Sequence, residues 1–262
     1  MTDDRPAVGD RVLAQSPLMA ESIAVVMPAY NEEATIERAV RESLRVLSST
    51  TRDYEVVVVD DGSSDATAAV ARRLAAEDAH VRVIEIGRNI GANAAVVVGM
   101  RSSDSDLRFF VPADLQVHPD QLGACLPVMS RADYVCTRRL HRADPLHRRL
   151  MARSYNWLVR MLFDLPAHDI DSSVLLRREV VERITGELRS SSDFLPVEML
   201  VRALGSGFRV VEVPIEHHPR SGGRPGSIVP LDVARTFVDL LRSARAMRRL
   251  RFQPARAGSP PR

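Results

Sequence analysis

Residues 23–27 read Ile-Ala-Val-Val-Met and run directly into Pro28-Ala29-Tyr30-Asn31-Glu32-Glu33, an apolar run opening into an acidic loop. A short β-branched run of this kind marks a strand covered on both faces, the usual setting of a parallel sheet. The pattern then repeats. Residues 55–59 form a second such run, which opens into Asp60-Asp61-Gly62-Ser63-Ser64-Asp65. Residues 81–86 are a third, and residues 107–111 a fourth that opens into Pro112-Ala113-Asp114-Leu115-Gln116. Helical spacing fills the gaps. Ile36, Val40, Leu44 and Leu47 share one helix face, an alanine-rich stretch capped by Asp65 runs to about residue 76, and residues 91–101 follow. Strand and helix in alternation predict an α/β fold with a mostly parallel central sheet and right-handed crossovers. Further on, the spacing predicts a strand at 134–136, helices at 145–163, 178–188 and 196–204, and a strand at 209–213.

The chain of 262 residues, 45% hydrophobic and 27% charged, suits one large domain. A formal charge of +2 argues against a dedicated nucleic-acid binder, so no nucleic-acid partner is expected. All basic side chains besides histidine are arginine. From residue 233 onward one acid, Asp239, faces eight of them. Cys125 and Cys136 are too few for a disulfide scaffold or metal cluster, which fits a reduced, cytoplasmic setting. Residues 1–21 read as a flexible leader that is neither signal nor transit peptide, since Asp3, Asp4 and Asp10 interrupt it. Residues 22–230 form the expected domain, 231–254 a basic amphipathic helix, and 255–262 a disordered tail. No apolar run approaches the roughly 18 residues of a membrane span.

Ligands of open α/β sheets bind outside the carboxyl ends of the strands, where three acidic loops fall here. Carboxylates there can accept hydrogen bonds from ribose hydroxyls and base N–H groups, or hold a divalent cation against a diphosphate. Asp, Asn and Gly also build ordinary turns, but three such loops on one rim favour a binding site. Neither Gly-x-Gly-x-x-Gly nor Gly-x-x-x-x-Gly-Lys-[Ser/Thr] occurs, which disfavours dinucleotide oxidoreductases and P-loop enzymes.

Taken together, VVMPAYNEE (25–33), YEVVVVDDGSSD (54–65), GRNIGANAAVVVGM (87–100) and PADLQVHPDQL (112–122) resemble the signature of family-two glycosyltransferases. The nearest group is the dolichol- or polyprenol-phosphate sugar synthases. The likeness extends through RRLHRADPLHRRLMARSYNWLVRMLF (138–163), HDIDSSVLLRREVV (168–181) and VVEVPIEHHPRSGGRPGS (210–227). It implies the GT-A fold, inverting transfer from a UDP- or GDP-sugar, and Mg²⁺ or Mn²⁺. By matching position, Pro28, Tyr30, Glu32, Asp60 and Asp61 would line the nucleoside pocket, and Asp114 and Gln116 would hold the metal. Arg138 and Arg153 match basic residues that bind the phosphate of a lipid acceptor. Pro112 stands where the family's D-x-D-x-Q has its first acid, and a basic residue of the family is missing from DIDSSVLLRRE (169–179).

A lipid-phosphate acceptor is already anionic and needs cations, whereas an alcohol needs a general base, for which Asp169 and Asp171 lead over Asp193 and Glu198. His217 and His218 precede a glycine-rich loop at 220–227 that reads as a lid with Arg220 or Arg224 reaching phosphate, rather than as a zinc site. The helix from residue 231 would either pack on the domain or dock on the inner face of a membrane. Three readings follow: a peripheral polyprenol-phosphate transferase, a soluble transferase with a small-molecule acceptor, and a weakly active nucleotide-sugar-binding homologue.

Overall fold

The computed structural model describes residues 18–140, 146–188, 190 and 194–219, with the backbone alone for 146–152. Most of the expected leader, the lid, the C-terminal helix and tail, and Asp193 lie outside the described residues. The first strand, β1 (Ile23–Ala29), is buried along its whole length. It pairs in parallel with β2 (Tyr54–Asp60) and with β4 (Leu107–Phe110), while β2 pairs in parallel with β3 (Val81–Glu85). Helices α1 (Ile36–Thr50), α2 (Thr67–Glu77) and α3 (Ala92–Ser102) make the crossovers. This is the α/β alternation expected from the sequence.

Side chains alternate across β1, so Ile23, Val25 and Met27 join one core with Ile36, Val40 and Leu47 of α1, while Val26 joins another with Met100 of α3. Each such burial stabilises by roughly 1.5–3 kcal/mol. Gly99 sets the depth of α3, because a Cβ there would collide with Val26 and come within 2.9 Å of Val59.

Beyond β4 come the short α4 (Leu122–Cys125), β5 (Tyr134–Arg139), α5 (Leu146–Phe163), β6 (Val174–Arg177), α6 (Arg178–Thr185), α7 (Leu195–Gly205) and β7 (Val210–Ile215). The sheet order is β3-β2-β1-β4-β6-β5-β7. Strand β6 is antiparallel to both β4 and β5, and the remaining pairings are parallel. The sequence did not announce β6, where Val174, Leu175 and Leu176 make an apolar run of only three residues between Ser173 and Arg177. Strand β5 runs three residues past its expected end, because Arg138 and Arg139 pair with Pro214 and Ile215 through the backbone. Helix α6 stops at Thr185, with Gly186 as its cap, short of the expected 188. Since β6 is reversed, its leading residues reach the same rim as the trailing ends of β1, β2, β4 and β5.

Candidate active site

The first two loops are laced together. Asn31, in the left-handed region at φ 55°, donates from its N–H to Ser63 Oγ at 3.0 Å and accepts from Ser64 N at 2.8 Å. Glu32 N donates to Thr67 Oγ1 (2.8 Å), Glu33 N to Asp65 Oδ2 (3.2 Å), and Ala66 N to Glu33 Oε2 (2.9 Å). The cap of α2 falls one residue later than expected, at Ala66, and Asp65 acts from the position before it, with Oδ1 accepting from Thr67 N at 2.9 Å and from its hydroxyl. Burial works to raise the Asp65 carboxyl, but the bonds from Thr67 and the Glu33 amide prevail and hold it below the usual carboxylate range.

Asp61 has a bracing part. Its two oxygens accept from the backbone N–H groups of Ile90 (2.7 Å) and Gly91 (2.9 Å), fixing the third loop. Gly62, at φ +74°, allows this approach, because a Cβ would meet the Arg88 backbone at 2.6 Å. Asp61, expected at the nucleoside, thus has both carboxylate oxygens engaged by backbone amides of the third loop. Asp60 differs. It is 3% exposed, its Oδ2 accepts from Ser63 N at 3.3 Å, and its Oδ1 has no partner. A buried carboxylate oxygen without a donor is costly and marks a place where a ligand can supply one. Pro28 is buried in β1, Glu32 is buried and accepts from the Thr35 hydroxyl (3.1 Å), and Tyr30 stands exposed on the rim.

In the fourth loop Leu115 adopts φ 59°, and Asp114 Oδ1 accepts from Gln116 N at 3.0 Å. Burial pushes the Asp114 carboxyl above its ordinary value, the condition a nearby cation would relieve. The Gln116 carbonyl accepts from His218 N at 2.9 Å, drawing the segment after β7 over this loop. Among the described residues no group of three or more His, Cys, Asp or Glu is placed to hold a metal. One carboxylate and one amide oxygen still fit a magnesium-type ion, which takes one or two protein carboxylates and completes its shell with phosphate and water.

On the other half of the rim Asp169 is 5% exposed and bound bidentately by Arg139, with Nε and Nη2 each at 2.7 Å. The expected base at Asp169 is thus the partner of a guanidinium that engages both of its oxygens. Asp171 is exposed just before β6, and Glu198 is held in a buried pair with Arg202 at 2.8 Å. Arg138 is exposed, its Nε 3.7 Å from Glu212 Oε2. Arg153 is exposed on α5, and no described contact joins it to Arg138. Glu212 escaped the sequence reading. It accepts from the His168 backbone and ring (2.9 Å for Nδ1) and from Asp169 N (3.2 Å), so it ties β7 to the segment before β6. The available signal was a lone acid inside the apolar run VVEVPI.

The profile described as glycosyl transferase family 2 matches residues 24–185. An undecaprenyl-phosphate 4-deoxy-4-formamido-L-arabinose transferase of Shewanella sediminis (strain HAW-EB3) is 31% identical over 205 residues, covering 77% of this chain and 60% of its own length. The glycosyltransferase AglD of Haloferax volcanii is 32% identical over 208 residues, covering 76% of this chain and 33% of its own. The chain thus spans less than two thirds of these relatives. In fold it is similar to glucosyl-3-phosphoglycerate synthase of Mycobacterium tuberculosis, solved with Mn²⁺, UDP-glucose and phosphoglyceric acid. That match has a TM-score of 0.63 at 16% identity, covering 87% of this chain and 80% of the other. The fold is therefore GT-A. With the profile spanning more than half of its residues and a relative above 30% identity, this chain belongs to glycosyl transferase family 2.

Proposed function

We propose that the protein transfers a sugar, with inversion, from a UDP- or GDP-sugar to the phosphate of a polyprenol-phosphate acceptor, working peripherally at the cytoplasmic face of a membrane. The observation that carries this is the Arg139–Asp169 pair, which neutralises the buried carboxylate at the start of β6. An alcohol nucleophile would need such a base. A phosphate monoester, whose second pKa is near 6, would not. Names of relatives such as undecaprenyl-phosphate transferase support the same acceptor class. Among the described residues no helix is long and apolar enough to cross a membrane, so contact with the lipid acceptor would come from the surface.

In this reading the loops after β1 and β2 receive the nucleoside, with Asp60 Oδ1 accepting from it and Asp61 keeping the wall in place. Asp114 and Gln116 would hold Mg²⁺ or Mn²⁺, which neutralises charge on the departing diphosphate. Arg138 and Arg153 would orient the acceptor phosphate. Pro112 favours a second reading, a nucleotide-sugar-binding homologue with weak turnover, since it removes one oxygen from the metal loop.

Titration with UDP and GDP, with and without Mn²⁺, tests donor binding. Transfer of labelled sugar to undecaprenyl phosphate then tests turnover. Product with the lipid phosphate supports the first reading, and tight binding without product supports the second. Turnover only with hydroxyl acceptors would overturn the lipid assignment and move attention to Asp171.

A further inference from the structure

Helix α5 has two unlike faces. Val159 and Phe163 are buried in the second core, with Tyr155, Leu158 and Leu162 packed against it. On the opposite side Arg153, Trp157 and Met161 follow at four-residue intervals in one exposed stripe, with Trp157 63% and Met161 65% exposed. Two large side chains left in water on adjacent turns need a reason, because neighbouring apolar exposure marks an interaction surface more often than a scattered single residue does. The charge on the helix says what kind. From Leu146 to Phe163 it carries Arg148, Arg149, Arg153 and Arg160 and no Asp or Glu, and the nearest acid, Asp164, follows the last helical residue. Tryptophan beside arginine on an acid-free helix is the chemistry of a lipid headgroup layer: the indole lies at the boundary and guanidinium groups meet phosphates.

We propose that the outward face of α5 docks on an anionic lipid surface, with Trp157 and Met161 entering the headgroup layer. This goes beyond the transfer reaction and beyond the basic segment at 231–254, because it assigns contact to a different helix. A second copy of the chain is the competing occupant, but a self-complementary contact would set this acid-free, arginine-bearing stripe against itself.

Trp157 is the chain's one tryptophan, so its emission reports on this face alone. The full chain is titrated with vesicles of phosphatidylglycerol and phosphatidylcholine, and with phosphatidylcholine alone. The expected result is a blue shift, quenching by brominated lipid, and a half-maximal lipid concentration roughly tenfold lower with the anionic vesicles, an advantage that shrinks as salt rises. Met161→Glu, at an exposed position, should raise the lipid required by about tenfold or more. Vesicle binding without a change in emission would overturn the proposal by moving the contact elsewhere. Equal response to both vesicles, or an unaffected Met161→Glu variant, would also overturn it. So would emission that is already blue-shifted in buffer and varies with protein concentration, which would identify a second copy as the occupant. No nucleotide enters this measurement, so its failure is separate from failure of the transferase reading.

Discussion

Asp114 is held by burial in a state that opposes its own charge. A carboxylate whose folded pKa is raised contributes stability at low pH and loses it as pH rises through that value, so its ionised form costs the fold at neutral pH. Asp114→Asn, which keeps an acceptor for the Gln116 amide, should therefore leave thermal stability unchanged or slightly higher at pH 7. The same change should abolish Mn²⁺-dependent nucleotide binding by calorimetry, and wild-type affinity should climb as pH rises through the elevated pKa. Pro112→Asp should tighten Mn²⁺ binding, because a hard cation gains an oxygen ligand. A fall in affinity would mean that the proline turn already places another donor. Asp169→Asn belongs to the opposite class. It removes the charge that the half-buried Arg139 grips and should cost about 3 kcal/mol, or ~6–12 °C of Tm, by calorimetric melting.

The laced loops are the unit at the next scale. Asp65→Ala should remove about 1 kcal/mol at neutral pH, because it takes away the acceptor of the Thr67 and Glu33 amides. Its folded pKa is depressed, so the stabilisation exists above the unfolded value and is lost as pH falls through the folded one. Denaturant melts of wild type and mutant should therefore differ at pH 7 and converge below about pH 4. The strands carrying these loops were legible because β1 and the four valines of β2 (56–59) are continuously apolar and bounded by turn residues. The loops' acids were legible as a group but not in their parts: nothing local says that Asp61 turns to the Ile90 and Gly91 amides while neighbouring Asp60 keeps an oxygen unpaired. That division depends on where the third loop lies, which Gly62 and the left-handed backbone decide. Glu212 and β6 were hidden for a related reason, since a single acid in a strand and a three-residue apolar run carry no period.

Across the whole molecule the sheet joins two halves of different character. Strands β3, β2, β1 and β4 form a parallel half built from consecutive crossovers, and β5 with β7 form the other. Strand β6 holds them together, pairing Leu107 with Arg177 on one side and Tyr134 with Leu176 on the other. Reversing it brings both the acidic loops and the Arg138–Asp169–Glu212 cluster to one rim, although they lie far apart along the chain. This placement also sets an order in time. Strand β5 leaves the ribosome before β6, yet its place in the sheet does not exist until β6 has paired with β4 across a long loop, whose closure is slow. Until then β5 has an unfilled edge and only other chains to pair with. Pulse-labelled hydrogen exchange during refolding should protect the amides of Val25, Val26, Val57 and Val58 before those of Val135 and Leu175. A chain halted between β5 and β6 should be the most aggregation-prone length of the nascent protein.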